Sequence, residues 1–316
     1  MTQAIEWLYR RDPSAPFLLY LSFAGPRASY TPPAWAFDRY LHDDANGTYQ
    51  PLRSDWEDVW EPWKTDHEPD AHDAAYDDLT ARRARAGYFG NMTHINAQLG
   101  RFLTALREFG DAYDTYIAFT SDHGEMLGDH GMWRKGYPYE GSAGVPLLVA
   151  GPGIDGGSTC SDLVTLEDLM PTLLELAGLS VPDGIDGRSN ARRLLDGPGP
   201  EAPHLALHGE HVIFGLSLQW IVTPRWKYVW RSDDGTEQLF DFTRDGERRD
   251  LARSPDGEHV QVLAALRSAL VQRLRDRPEG FVFDGQLVAG RPVSPLLDLP
   301  VAAEPVRVPG AGTAML

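Results

Sequence analysis

The sequence predicts an α/β protein: a large domain with a mainly parallel central sheet covered by helices, then a smaller α+β domain. Three observations carry this. The short apolar run Phe17–Phe23, bounded by Pro16 and Gly25, suits a strand buried on both faces, and Tyr116–Phe119 and Val145–Val149 read as further apolar strands. Between them lies a long segment with a helical apolar stripe. Beyond Gly197-Pro-Gly-Pro200 the pattern changes to closely spaced strands separated by turns.

Residues 1–12 read as a short amphipathic helix, without the apolar core of a signal peptide. Residues 30–78, rich in Pro, Trp, Asp and Tyr, read as a long irregular excursion facing substrate, where Trp35, Trp56, Trp60 and Trp63 offer either stacking surfaces or packing. Residues 79–109 are the clearest helix: Tyr88, Met92, Ile95, Leu99, Phe102, Leu106 and Phe109 recur at steps of three and four, and Gly110 ends it. Thr165 followed by Asp168 marks the start of a helix over 166–177. Strands are expected at 216–222, 227–230 and 237–242, with the turn Asp233-Asp234-Gly235 between the last two. A helix is expected over 258–275, and the tail from Leu287 reads as extended. The predicted domains are 1–195 and 196–316.

The 316 residues carry a formal net charge of −17 and 42% hydrophobic residues. An acidic chain of this kind is a poor partner for nucleic acid, yet a local cation cluster still accommodates a small anion. No apolar run approaches a membrane span of about 20 residues. The single cysteine, Cys160, excludes an intrachain disulfide and fits a reducing compartment, so a cytoplasmic location is expected. A homo-oligomer remains open.

The chemistry concentrates at Thr120-Ser121-Asp122-His123-Gly124. A strand ending there places Asp122 and His123 at a sheet edge, where α/β proteins bind ligands. Adjacent Asp and His side chains both reach one divalent cation if the backbone turns, which Gly124 permits. Asp129 and His130 repeat the pair, making His130 a further candidate catalytic side chain, and Lys135 follows. A metal that polarises one oxygen beside a lysine that neutralises another suits an anionic ester. His208-Gly-Glu-His211 has a metal-like spacing but lacks the helical context of a zinc motif, and reads as structural or as a subsite.

The stretch TSDHGEMLGDHGMWRKGYPYEGSAGVPLLVAGPG resembles the second signature block of the sulfatase family, within the alkaline-phosphatase superfamily, and especially its choline-sulfatase-like and phosphonate-monoester-hydrolase-like members. PFLLYLSFAGPRASYTPP, RRARAGYFGNMTHINAQLGRFLTALREFG, LEDLMPTLLELAGLSVPDGIDGRS and TPRWKYVWRSDDGTEQLFDFTRDGERRDLA resemble further family blocks in the same order. The resemblance implies an alkaline-phosphatase-like sandwich with a C-terminal subdomain, and a hydrolase of sulfate, phosphonate or phosphate esters. It implies Asp122 and His123 as metal ligands and Lys135 as a contact to the anion. The metal would be Ca2+ or Mn2+; an imidazole ligand suits manganese better.

The family's formylglycine nucleophile arises from a C/S-x-P-S/A-x-R motif that this sequence does not contain, and no Asp-Asp pair follows an apolar N-terminal strand. Arg27 stands where the family usually has a histidine, and Gly144 where it often has arginine. Arginine retains the positive charge but donates no proton at neutral pH. The expectation is therefore the metal-and-anion part of a hydrolase lacking its nucleophile. The alternatives are a non-catalytic relative or one half of a two-chain enzyme.

Overall fold

The computed structural model describes residues 1–41, 76–197, 204–213 and 215–293. Its helices are α1 (Thr2–Arg10), α2 (Ala34–Leu41), α3 (Asp78–Glu108), α4 (Glu140–Ala143), α5 (Leu169–Leu176), α6 (Ala191–Asp196) and α7 (Gly257–Leu274). Its strands are β1 (Ile117–Thr120), β2 (Leu147–Ala150), β3 (Leu207–Ile213), β4 (Leu216–Val222), β5 (Trp226–Arg231), β6 (Glu237–Asp241), β7 (Val282–Phe283) and β8 (Gln286–Leu287). No described helix is long and apolar enough to cross a membrane.

Helix α3 begins where the Asp77 carboxylate accepts from the Thr80 amide at 2.7 Å, and gives way to Gly110 in the left-handed region. Its C-terminal half packs Ala105 and Leu106 against Leu8 of α1, with Phe17, Phe102 and Ile117 around them. Its N-terminal half is built for close approach. A Cβ on Gly87 would fall 2.4 Å from the Tyr30 carbonyl oxygen, and one on Gly90 2.7 Å from Pro32 Cγ. These glycines let the segment before α2 lie directly on the helix.

Two sequence expectations are corrected here. The run Phe17–Phe23 is not a strand buried on both faces: it pairs with no described residue, and Leu18 and Tyr20 are 85% and 87% exposed. Strong apolarity marks the run, but burial needs a neighbouring layer that the described residues do not supply. Nor do the described strands show the expected parallel sheet. Every strand pair among the described residues is antiparallel, including β1 with β2. The reason lies in the connection between them. Nested backbone bonds, Gly124 N to Ser142 O (2.8 Å), Met126 N to Arg134 O (2.8 Å) and Gly128 N to Met132 O (2.7 Å), fold it back on itself. The chain therefore returns beside β1 in the reverse direction.

The second sheet runs β3-β4-β5-β6. Strand β3 was not expected; its Gly209 and polar residues hide the alternation, and Trp220 lies where a Gly209 side chain would otherwise sit, 2.1 Å from a built Cβ. Every residue of β5 is buried, because both sheet faces are covered. Ile221, Tyr228 and Trp230 face Leu270 and Leu274 of α7. Leu216, Leu218, Val229 and Phe240 face Met126, Met132, Tyr137 and Tyr139 from the β1–β2 connection. The loop following the Asp-His pair is thus cemented to the C-terminal sheet.

The candidate metal and anion site

Asp122 and His123 follow the end of β1, where Thr120 Oγ1 donates to the Pro146 carbonyl at 2.8 Å. Ser121 Oγ donates to the His123 carbonyl at 2.7 Å, closing the turn. The His123 ring bonds through Nδ1 to the Gly124 carbonyl at 2.8 Å. A carbonyl only accepts, so Nδ1 carries the hydrogen and Nε2 presents its lone pair. That Nε2 lies 3.6 Å from Asp122 Oδ2, and the Asp122 side chain is 86% exposed. One carboxylate oxygen and one oriented imidazole nitrogen fit a divalent ion of manganese type, with the histidine fixed from behind as metal ligands usually are. Among the described residues no group of three or more His, Cys, Asp or Glu forms a fuller shell.

Lys135 makes no hydrogen bond or ion pair with a described residue, and its charge acts on Glu125. Glu125 is the internal brace: burial pushes its carboxyl up, while Tyr30, the Arg134 amide and Lys135 favour the ionised form. It accepts from the Arg134 amide. The Tyr30 hydroxyl is buried beside it without a well-formed hydrogen bond, and burial together with the Glu125 charge raises the phenol. This contact brings the segment bearing Arg27 to the Asp-His loop. Arg27 itself is exposed, and its side chain bonds to no described residue.

Ser142 joins the two ends of the loop. Its buried hydroxyl accepts from the amides of Gly136 (2.9 Å) and Tyr137 (3.2 Å), next to Lys135. Its carbonyl accepts from Gly124, next to His123. Ser142→Ala leaves two amides without an acceptor, so a loss of about 2 kcal/mol is expected in urea unfolding.

His130 is buried, lies in the left-handed region (φ 56°), and stacks on Tyr139 with ring centres 3.8 Å apart. It sits between the loop and Phe240 of β6, buried where the Asp122 side chain is exposed. Leu127 and Arg134 share its positive φ, a concentration of strained backbone that tightly held functional loops tolerate.

The remaining candidates separate. His208 and His211 are three apart on a strand, so they occupy opposite faces and share no ion. His208 bonds Gln219 at 2.8 Å; His211 faces the loop, beside Gly136. Trp35 packs its ring edge near His94, whereas Trp56, Trp60 and Trp63 lie outside the described residues. A Cβ on Gly144 would meet the Glu140 carbonyl oxygen at 2.7 Å, so the arginine common at this place has no room without local movement. Ser142, Glu125 and Tyr30 escaped sequence reasoning because their role depends on what they touch, although all three lie within quoted family blocks.

The sulfatase family profile matches residues 1–179. The chain belongs to the sulfatase family. A second profile, N-sulphoglucosamine sulphohydrolase, C-terminal, matches residues 128–275. This sulfatase chain is 37% identical over 301 residues to an arylsulfatase of Clostridium perfringens, covering 94% of this chain and 61% of that one. It is 38% identical over 180 residues to a choline-sulfatase of Rhizobium meliloti, covering 56% of this chain and 34% of that one. It also resembles the solved structure of a phosphonate monoester hydrolase from Silicibacter pomeroyi, with a TM-score of 0.58 and 28% identity, covering 64% of this chain and 43% of that one. The chain thus spans about three-fifths or less of the length of these relatives, whose names all denote ester hydrolases.

Proposed function

We propose that this chain supplies the metal-and-anion side of a sulfate-ester hydrolase site, with phosphonate or phosphate esters as related substrates. The observation that carries this is the orientation of His123: Nδ1 is held by a backbone carbonyl, and Nε2 faces outward beside the Asp122 carboxylate. A divalent ion bound there supplies Lewis-acid polarisation of the ester. Lys135 neutralises an anionic oxygen, and Arg27 supplies a second positive charge but no proton. The nucleophile is expected from outside these 316 residues, since no C/S-x-P-S/A-x-R motif occurs in them. The departures at Arg27 and Gly144 favour one second reading, a relative that binds anionic esters without hydrolysing them.

Calorimetric titration with inorganic sulfate, at saturating Mn2+, tests the reading. Lys135→Ala is expected to weaken sulfate about tenfold, because a charge-assisted hydrogen bond is lost. An unchanged affinity would refute the assignment of Lys135. The 316 residues alone are expected not to hydrolyse p-nitrophenyl sulfate; metal-dependent turnover abolished by Asp122→Ala would place a nucleophile within them.

A further inference from the structure

We propose that His211 contacts substrate in this same site, hydrogen-bonding a hydroxyl on the organic part of the ester beside the anion held by Lys135. The inference rests on the proposed function and adds the class of substrate it selects.

The strand period fixes which way His211 faces. Along β3, Gly209, His211 and Ile213 share one side, opposite Trp220, Leu218 and Leu216 of β4. That is the side on which the sheet receives Met126, Met132, Tyr137 and Tyr139. His208 and Glu210 point the other way, where they bond Gln219 and Arg277. So the sheet presents a single imidazole to the loop that carries Lys135.

The contact itself is close. A Cβ built on Gly136 would lie 3.1 Å from His211 Nε2, 3.4 Å from its Cδ2 and 3.0 Å from Ile213 Cδ1. Gly136 has φ +101°, and its lack of a side chain leaves room for the ring next to Lys135. Unlike His204, His208 and His259, each hydrogen-bonded to a side chain, His211 bonds to no described residue and remains exposed to solvent. It therefore has hydrogen-bonding capacity to offer a ligand.

Its chemistry indicates what it reads. Partial burial pushes the imidazole below its usual range, so near neutral pH it is uncharged. An uncharged imidazole adds little to the hold on a sulfate, which Lys135 already provides, but exchanges a hydrogen bond with a hydroxyl. A sugar sulfate satisfies it. The trimethylammonium end of choline sulfate, which has no donor or acceptor, does not.

The test uses the full chain with saturating Mn2+ and calorimetric titrations of inorganic sulfate, glucose 6-sulfate and choline sulfate. Wild type is expected to bind glucose 6-sulfate about fivefold more tightly than inorganic sulfate, the worth of one net hydrogen bond. His211→Ala should erase that margin, leave inorganic and choline sulfate unchanged, and melt at the wild-type temperature; His211→Gln should restore part of the margin. A margin that persists in His211→Ala, or is absent from wild type, overturns the proposal. Lys135→Ala separates the two levels: if it leaves all three affinities unchanged, the reading of the site fails and this inference with it. If Lys135→Ala weakens all three but His211→Ala changes none, only the role of His211 fails.

Discussion

Lys227→Met is expected to lower the unfolding free energy by about 3 kcal/mol. Lys227 sits on the central strand β5 with its side chain fully buried, and its ammonium bonds both Glu140 and Glu247 at 2.7 Å. Glu140 is half exposed and keeps water as a partner, so the cost falls on Glu247, whose side chain is 8% exposed. Glu247 retains one donor, the Glu140 amide at 2.7 Å, which keeps the expected loss at the lower end for a broken buried pair. Burial raises the Glu247 carboxyl even with Lys227 beside it. Without the ammonium it rises further, so the folded state of the variant favours the protonated acid. The deficit is therefore greatest above the folded pKa and shrinks as pH falls toward the ordinary carboxylate range. Urea unfolding of both proteins at pH 7.5 and pH 5, values chosen to bracket that change as about neutral and mildly acidic, checks the magnitude and the sign. The pair also fastens α4, and through Ser142 the whole Asp-His loop, to the C-terminal sheet.

Gly124→Ala is expected to damage stability and metal binding together. Its Cβ would lie 2.2 Å from the Gly141 carbonyl oxygen and 2.9 Å from that of Gly144. Both are backbone atoms, so relief requires α4 to move, and the bond from the Gly124 amide to the Ser142 carbonyl is lost with it. A cost of about 3 kcal/mol follows from overpacking a site that cannot yield. Because the Gly124 carbonyl orients the His123 ring, Mn2+ affinity should fall about tenfold, as when support behind a ligand is lost. Gly100→Ala is the control: on the exposed side of α3 nothing lies within 4 Å of its Cβ. It should stabilise by roughly 0.5–1 kcal/mol and leave Mn2+ binding untouched.

Periodicity made α3 legible: its stripe from Tyr88 to Phe109 and the stop at Gly110 lie within one sequence window. The same is true of β4 to β6, whose alternation and turn at Gly235 are local, and of the capping box at Thr165, which opens the 3-10 turn Leu166–Asp168 leading into α5. Asp122, His123 and Lys135 could be singled out as candidates because they stand in one continuous motif. Relations between distant segments were not. The direction of β2 depends on the nested bonds that fold its connection back, and the exposure of Leu18 and Tyr20 depends on what packs beside them. His211 offered only a misleading spacing with His208; its place beside Gly136 comes from sheet register and from a loop far away in sequence. Ser142 shows the intermediate case, visible within a family block yet meaningful only once its hydroxyl is seen to hold the Lys135 side and its carbonyl the His123 side.

The proposed site requires Asp122 and the oriented His123 ring to bind one metal ion together. Titration of the chain with Mn2+, followed by loss of the free-ion electron paramagnetic resonance signal, checks this. The expected result is one ion bound per chain, weakened at least about tenfold by either Asp122→Ala or His123→Ala, with both variants still folded. Binding of Mn2+ that neither substitution alters, or no binding at any concentration, would contradict it.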